Sequence, residues 1–422
     1  LSSRIQAPRG TFDVLPDQAP ARAQLERVAG EILDGAGYGR IETPAFEVTE
    51  LFARGVGEST DIVQKEMYSF DDGGGRSLTL RPEGTAPVCR AYAEHGMHKL
   101  PQPVKLWYLS SFFRYERAQA GRYRQFWQVG AEALGSEDPA ADAEAIVLLA
   151  TLLDRTGARG LRLRLSSLGQ LSTRLDYRER LQSHLREHAD RLSDEVRERI
   201  ELNPLRAFDS EHAGTREVMA AAPQLLDQLT SEDAEHFAEV RALLDAAEVA
   251  YEIDPTLVRG LDYYSRTVFE FTSDALGAQS GVGGGGRYDG LVAMLGGPPT
   301  PGIGWAAGVE RILLAGEAAP PAAGAAVDLY VAPEELPGGR KAQRTAAFRI
   351  VTDARAAGLA AQLELTGRSA KGRLKHAARI GARYVAVVGE GQTLLRDNED
   401  GREQSIDSGA VVHAVIRGLR DL

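Results

Sequence analysis

Between Lys105 and Gly135 the chain reads KLWYLSSFFRYERAQAGRYRQFWQVGAEALG, two alternating runs joined by an arginine-rich loop, and this pattern predicts a hairpin of two strands. In the second arm the period of two puts Arg124, Phe126, Gln128, Gly130 and Glu132 on one face. That face is unusually polar for a strand. At roughly 3.3 Å per residue, Phe126 and Glu132 stand about 20 Å apart, with an aromatic platform at one end, a carboxylate at the other and an amide between. A small amino acid joined to a nucleotide has that reach. On the first arm Phe112, Arg114 and Glu116 share a parity, and Arg114 and Arg122 bracket the loop, where guanidinium groups can meet a phosphate chain. An amphipathic hairpin with a solvated face has the same pattern.

The remaining elements follow in chain order. Arg9 to Pro16 is rich in turn residues, and a helical period runs from about Ala19 to Ala36. GYGRIETPAF, residues 37–46, is extended, with Pro44 denying it an amide as at a sheet edge or an interface. Asp61 to Leu80 reads as a hairpin turning at Gly73 to Gly75. It leads into Arg81-Pro82-Glu83-Gly84-Thr85, a broken stretch that projects the Glu83 carboxylate and the Thr85 hydroxyl. Together they suit an ammonium group. Glu83 equally fits an acid at a helix N-terminus.

A helix is predicted from Asp138 to Arg155 and a strand from Leu161 to Leu168. From about 171 to 250 the composition turns to charged helices broken at Asn203-Pro204 and Ala222-Pro223, which predicts an inserted helical domain. In LVRGLDYYSRTVFEF, residues 257–271, Gly260 bends the chain and brings Arg259, Tyr263 and Tyr264 to the mouth of the sheet; a tyrosine pair satisfied inside a core is the alternative. SGVGGGGRYDG, residues 280–290, matches GxGxxG only formally, and its glycines suit a backbone lying close under a ligand, with Arg287, Tyr288 and Asp289 closing the pocket. Residues 302–314, GIGWAAGVERILL, give a short strand, a glycine turn and a helix carrying Glu310 and Arg311. A Pro/Ala-rich linker, residues 317–326, separates this first domain, 1–320, from a domain at 327–422 whose strands alternate with helices. That order predicts a small α/β fold with a mostly parallel sheet. Its dense basic cluster is Arg368, Lys371, Arg373, Lys375 and Arg379.

Composition narrows the partners. The 422 residues carry 49 Lys and Arg against 60 Asp and Glu, a net charge of -11, so a nucleic acid would have to meet local basic patches rather than a basic whole. The single cysteine, Cys89, excludes an intrachain disulfide and a cysteine-rich metal site, and no protein-held structural metal is expected. No long apolar run or leader pattern is present, so cytoplasmic residence and no membrane partner are expected, with native residues preceding Leu1.

Phe113-Arg114-Tyr115-Glu116, the basic loop and Arg124-Gln125-Phe126 resemble motif 2 of the class II aminoacyl-tRNA synthetases. Residues 302–314 resemble their motif 3, and the helix and strand ending at Pro44 their motif 1. RGTFDVLP, LRPEGT, NPLRAFDSE and, most specifically, LVRGLDYY narrow the likeness to the histidyl-tRNA synthetases, over nearly the whole chain. The resemblance implies an α+β fold: a class II catalytic core on an antiparallel sheet, a helical insertion, and a C-terminal α/β anticodon-binding domain. It also implies formation of histidyl-adenylate from L-histidine and ATP with Mg2+, transfer to the histidine tRNA, and a homodimer built on motif 1. By the family's pattern Arg114 and Arg259 flank the α-phosphate. Glu116, Arg122, Phe126 and Arg311 hold ATP, and Glu83, Thr85, Gln128, Glu132, Arg259, Tyr263, Tyr264 and Tyr288 hold histidine. Arg117, Gln119 and Arg124 face the acceptor end of tRNA. Glu211 and the acidic run Asp397-Asn398-Glu399-Asp400 depart from the family's basic positions, and Trp127, on the opposite strand face, stands where histidine is common. A histidine-sensing regulatory subunit of ATP phosphoribosyltransferase shares this fold and is the alternative; such relatives lose the motif arginines and the C-terminal domain. A third reading, a class IIa synthetase for proline, threonine or glycine, is opposed by LVRGLDYY.

Overall fold

A computed structural model describes residues 5–57, 60–202, 204–257, 261–316, 327–334 and 340–420. Two units result, Leu1–Ala319 and Pro320–Leu422. In the first, helix α1 (Ala19–Gly35) opens on Pro20, whose fixed φ suits a first turn, and buries Leu25, Val28, Ala29 and Leu33 along one stripe. Strands β1 (Gly39–Arg40) and β2 (Phe46–Val48) flank Pro44, and α2 (Thr49–Val56) follows. The hairpin expected from Asp61 begins later, as β3 (Tyr68–Asp71) and β4 (Ser77–Leu80). Residues Ile62–Glu66 form a π-helical turn instead, because Ile62 packs into a small apolar cluster with Leu51, Phe52 and Val56 of α2. β2, β4 and β3 make a three-stranded antiparallel sheet.

Helix α3 (Thr85–Glu94) leads to the long hairpin β5 (Val104–Phe113) and β6 (Gln125–Leu134), close to its predicted limits. α4 (Pro139–Arg155) is capped by Asp138, whose side chain accepts from Ala140 N at 2.8 Å, and β7 (Leu161–Ser167) follows. Helices α5 (Leu171–Glu187), α6 (Asp194–Arg199), α7 (Ala213–Ala220) and α8 (Ser231–Ala246) come next. β8 (Glu252–Ile253), β9 (Ser265–Ser273), β10 (Gly281–Arg287), α9 (Leu291–Met294), β11 (Gly302–Gly308) and α10 (Val309–Ala315) complete the unit.

An eight-stranded sheet in the order β1-β5-β6-β11-β10-β9-β7-β8 organises this unit, antiparallel throughout its centre, with the edge pairs β1/β5 and β7/β8 parallel. Its rear face carries the alternate positions Trp107, Val129, Ala131, Phe269, Phe271, Ile303 and Trp305, buried against α1, α4 and α8. Each buried large side chain there contributes about 1.5–3 kcal/mol over exposure. The glycine-rich run forms strand β10. At Gly285 of β10 a Cβ would lie 1.9 Å from the Gly304 carbonyl oxygen, so only glycine lets β10 and β11 pair at this register.

The expected insertion at 171–250 divides. Tyr177, Leu181, Leu185, Leu192, Val196, Val218 and Leu225 form a separate small core. α8, however, buries Phe237, Val240 and Leu244 against the main sheet and belongs to it. Among the described residues no helix is long and apolar enough to cross a membrane.

The second unit contains β12 (Leu329–Pro333), α11 (Arg340–Ala356), β13 (Ala361–Leu363), α12 (Ala370–Arg379), β14 (Tyr384–Val388), β15 (Gln392–Asp397), β16 (Glu403–Asp407) and α13 (Val411–Arg420). Its sheet, β13-β12-β14-β15-β16, is parallel through β13, β12 and β14 and ends in an antiparallel hairpin. β16 has no counterpart in the sequence prediction, because EQSID is polar and mostly exposed. The predicted linker at 317–326 lies outside the described residues.

Candidate functional site

The front face of the large sheet carries the chemistry. Pairing of β5 with β6 sets Phe112 opposite Phe126, Ser110 opposite Gln128 and Tyr108 opposite Gly130, which lies beneath the Tyr108 ring. β11 sets Gly304 beside Glu132, where a Cβ would stand 1.7 Å from Glu132 Oε2; glycine alone leaves room for the carboxylate. Glu132 is completely buried. It accepts hydrogen bonds from Tyr288 OH (2.6 Å), Thr85 Oγ1 (2.8 Å) and Tyr108 OH (3.3 Å). Desolvation outweighs these three donors and pushes its pKa up to about 8.

Glu83 lies just before α3, and its carboxylate accepts from Thr85 N (2.7 Å) and Ala86 N (3.0 Å), the helix-start role. It also faces Tyr263, whose hydroxyl donates to it at 3.4 Å, and burial raises its pKa. Both readings of Glu83 hold together. The Thr85 hydroxyl is committed to Glu132 rather than standing free beside Glu83. Tyr263 packs edge-on against Tyr264 and Tyr288 at 4.9 and 5.9 Å between ring centroids.

From this polar end a cavity of about 340 Å³ extends along the sheet, walled by Gln128, Phe126, Arg114, Arg122, Glu116 and Arg311. Gln128 Oε1 is buried and accepts no hydrogen bond among the described residues. Arg114 donates through Nε to the Pro82 carbonyl (2.8 Å) and lies 5.3 Å over the Phe126 ring. Glu116 pairs with Arg122 at 3.2 Å and with Arg114 at 3.8 Å. Arg311 donates to the carbonyls of Gly121 (2.9 Å) and Gly281, and burial beside two other arginines lowers its pKa. Three guanidinium groups thus face one space.

Other predicted residues fall elsewhere. Arg259 and Gly260 lie outside the described residues, as does Asn203. Arg124 does not share the cavity wall: β6 begins at Gln125, and Arg124 stacks 3.9 Å over the Tyr115 ring while its amide donates to the Gly10 carbonyl (2.7 Å). Arg117 and Gln119 are exposed on the loop. Arg287 does not close the pocket. It is fully buried, paired with Asp142 and, at 3.1 Å, with Asp289; Asp142 also meets His236 Nε2 at 2.8 Å. Trp127 points to the rear core as its parity requires. Arg373 of the basic cluster is buried, and Arg368 is paired with Glu364 at 3.0 Å.

Two further carboxylates lie at the site, Glu270, which the sequence reading left unnamed, and Glu310, which it named without a role. Glu270, alone among the apolar residues of VFEF, lines the cavity and pairs with Arg164 at 3.3 Å; its break in alternation was the available signal. Glu310 binds Arg22 of α1 and the amide of Trp127 (3.0 Å), which only the fold brings near. Against the expectation that the histidines show no HxxxH spacing, His184 and His188 stand at i, i+4. His184 Nε2 contacts the Val218 carbonyl and His188 Nδ1 the His184 carbonyl, each at 2.9 Å. Among the described residues no group of three or more His, Cys, Asp or Glu could hold a metal ion.

A family profile described as histidyl-tRNA synthetase matches residues 10–312. The chain belongs to the histidyl-tRNA synthetase family. It is 47% identical to the histidine--tRNA ligase of Desulforudis audaxviator over 99% of both chains, and 48% identical to that of Streptomyces avermitilis over 97% of this chain and 98% of the other. The solved apo histidyl-tRNA synthetase of S. aureus superposes with a TM-score of 0.79 at 34% identity, covering 98% of this chain and all of that one. The mixed fold with its antiparallel central sheet is therefore that of a histidyl-tRNA synthetase.

Proposed function

We propose that the protein is a histidine--tRNA ligase, which condenses L-histidine with ATP to histidyl-adenylate and transfers the histidyl group to the terminal ribose of the histidine tRNA. The observation that carries this reading is a cavity lined by Arg114, Arg122 and Arg311 and by Glu83, Gln128 and Tyr264, with Glu132 and its tyrosine and threonine donors buried further along the β6 face that carries Gln128. A polar pocket for an imidazole lies at one end and a phosphate-binding wall at the other. The regulatory-subunit reading leaves those arginines and the second unit without a use.

No protein nucleophile is needed. The histidine carboxylate attacks the α-phosphorus, the bond to pyrophosphate breaks, and pyrophosphate leaves with the electron pair; a ribose hydroxyl then attacks the acyl carbon and AMP departs. The protein's part is positioning and charge stabilisation. Phe126 and Arg311 sandwich the adenine, and Arg114, with Arg259 by the family's pattern, meets charge developing on the α-phosphate. Arg122 and Glu116 hold the remaining polar groups of ATP. Glu132 and Tyr288 read the imidazole, with Tyr263 and Tyr264 as its walls. Glu83 and the unpaired Gln128 amide oxygen receive the α-amino group, while Thr85 orients Glu132. A magnesium ion, which normally takes one or two carboxylates plus substrate phosphates, suits the cavity carboxylates Glu116 and Glu270 and would neutralise the outer phosphates.

We assign Arg117 and Gln119 to the acceptor end of tRNA because they are exposed at the cavity's loop, with Arg124 bracing that loop. Lys371, Lys375 and Arg379, exposed on α12, suit an anticodon contact in the second unit. A homodimer is supported by Phe46, Val48 and Phe70, which are 50%, 51% and 45% exposed on the three-stranded sheet that follows Pro44. The buried thiol of Cys89 accords with the cytoplasm.

Amino-acid-dependent ATP–pyrophosphate exchange, offered each of the twenty amino acids, tests the reading. Exchange with histidine alone is expected. Histidine binding without exchange would replace it with the regulatory reading.

A further inference from the structure

The inserted segment leaves the main body after Leu168 and returns at Thr230, and its two ends converge on one short stretch of β9. Leu168 N donates to the Arg266 carbonyl and Arg266 N to the Gly169 carbonyl, both at 2.7 Å. Arg266 has φ of +45°, a left-handed conformation that strains a non-glycine residue, and the β9/β10 register shifts beside it. Its side chain reaches the returning end: Nε donates to Asp233 Oδ1 at 2.9 Å, and Asp233 Oδ2 accepts from Gln170 N at 3.0 Å. Entry and exit are thereby pinned two residues beyond Tyr264.

Arg174, in the first turn of α5, extends this clamp to the tyrosines. Its Nη1 donates to the Asp262 carbonyl at 3.0 Å and to the Tyr264 carbonyl, which bracket the Tyr263–Tyr264 pair. Asp262 is held from the other side, its amide donating to the Val56 carbonyl at 3.1 Å. Arg174 does not line the histidine cavity. It lies in a separate groove of about 210 Å³ with Leu171, Leu175 and Leu205. A guanidinium holding both flanking carbonyls fixes the direction in which Tyr263 projects, and with it the contacts to Glu83, Tyr264 and Tyr288.

We propose that Arg174 is a positioning residue for the histidine site, through which the seat of the inserted segment sets the Tyr263–Tyr264 pair. The inference rests on the reading of that pair as part of the histidine pocket.

Pyrophosphate exchange by the full chain, with histidine and ATP varied separately and the thermal midpoint measured alongside, tests it. Arg174→Ala should raise the histidine KM about tenfold while kcat and the ATP KM stay within about twofold. Arg174→Lys, whose ammonium ends about one bond short of the Nη1 position, should raise it about threefold. Leu175→Ala, which opens the same groove without touching either carbonyl, should behave as wild type. A histidine KM unchanged in folded Arg174→Ala, a rise shared equally by ATP, or an equal rise in Leu175→Ala overturns the proposal. If Arg174→Ala does not fold, Arg174→Lys decides, and an unchanged histidine KM there overturns it. Wild-type protein without histidine-dependent exchange removes the functional reading itself; normal wild-type exchange with unshifted Arg174 variants removes only this role.

Discussion

Glu132 concentrates the chemistry of the site at a single residue. Its carboxyl titrates at about 8 because burial disfavours the charged form more than Tyr288, Thr85 and Tyr108 favour it. At neutral pH the empty pocket therefore holds a proton, whereas free imidazole loses its own near about 6.5. A complex sharing one proton between carboxyl and imidazole forms without proton exchange between those two values. Below about 6.5 the incoming imidazolium brings a second proton that must leave, and above about 8 one must be taken up. Histidine affinity should accordingly be flat from about pH 6.5 to 8 and weaken about tenfold per unit on either side; an affinity still rising at pH 9 would contradict it. Glu132→Ala should cut histidine kcat/KM by about 10³-fold or more and move the ATP KM by less than about threefold, because the unpaired donors around it discriminate only at the imidazole. A collapse of ATP affinity as well would show the pocket to be wrongly divided. Period-two spacing placed Phe126, Gln128 and Glu132 on one face, and they share it. Arg124 shared the parity in sequence but not in space, because the strand starts one residue after it and Tyr115 and Gly10 hold it aside.

At the scale of elements, the site depends on how strands approach one another. β11 passes so close to β6 that Gly304 has no room for a methyl group beside Glu132. Gly304→Ala should therefore lower histidine-dependent exchange by about 10²-fold or more while leaving nucleotide binding nearly intact, as measured by ATP titration. Behind the pocket, Asp142 of α4, Arg287 of β10 and His236 of α8 tie two helices to the sheet with no solvent to replace a lost partner. Asp142→Ala leaves Arg287 buried and short of its carboxylate, and should cost about 3–5 kcal/mol in a urea unfolding experiment. The glycine run before Arg287 suggested a backbone lying close under a ligand; in the fold its tightest approach is to the paired strand β11, and Gly281, Gly283 and Gly284 line the cavity. Which way Arg287 would turn was not readable, because residues adjacent in sequence alternate faces and the partner Asp142 is 145 positions away.

For the molecule as a whole, each unit has its own core, the first around the eight-stranded sheet and the second around Leu329, Val331, Ala386 and Val415. A chain ending at Ala319 should therefore fold and keep histidine-dependent pyrophosphate exchange within about threefold, while its rate of tRNA charging falls by about tenfold or more, since the lost unit supplies binding and not chemistry. Loss of exchange together with charging would mean that the first unit does not stand alone. The net charge of -11 leaves local basic surface to meet tRNA, and charging should weaken with salt more steeply than exchange.

The sequence by itself determined the order of most elements, the division into two units, the polar face of the central hairpin and the motifs that name the family, because each is written in local periodicity, turn chemistry or a short run of residues. Only the tertiary structure decided that Thr85 serves Glu132, that α8 belongs to the main sheet, that Arg287 turns to Asp142 and that Arg174 reaches the backbone around Tyr263. Those are contacts between segments distant along the chain, and the energy of each depends on burial and on a partner's position. Neither quantity exists until the sheet has closed.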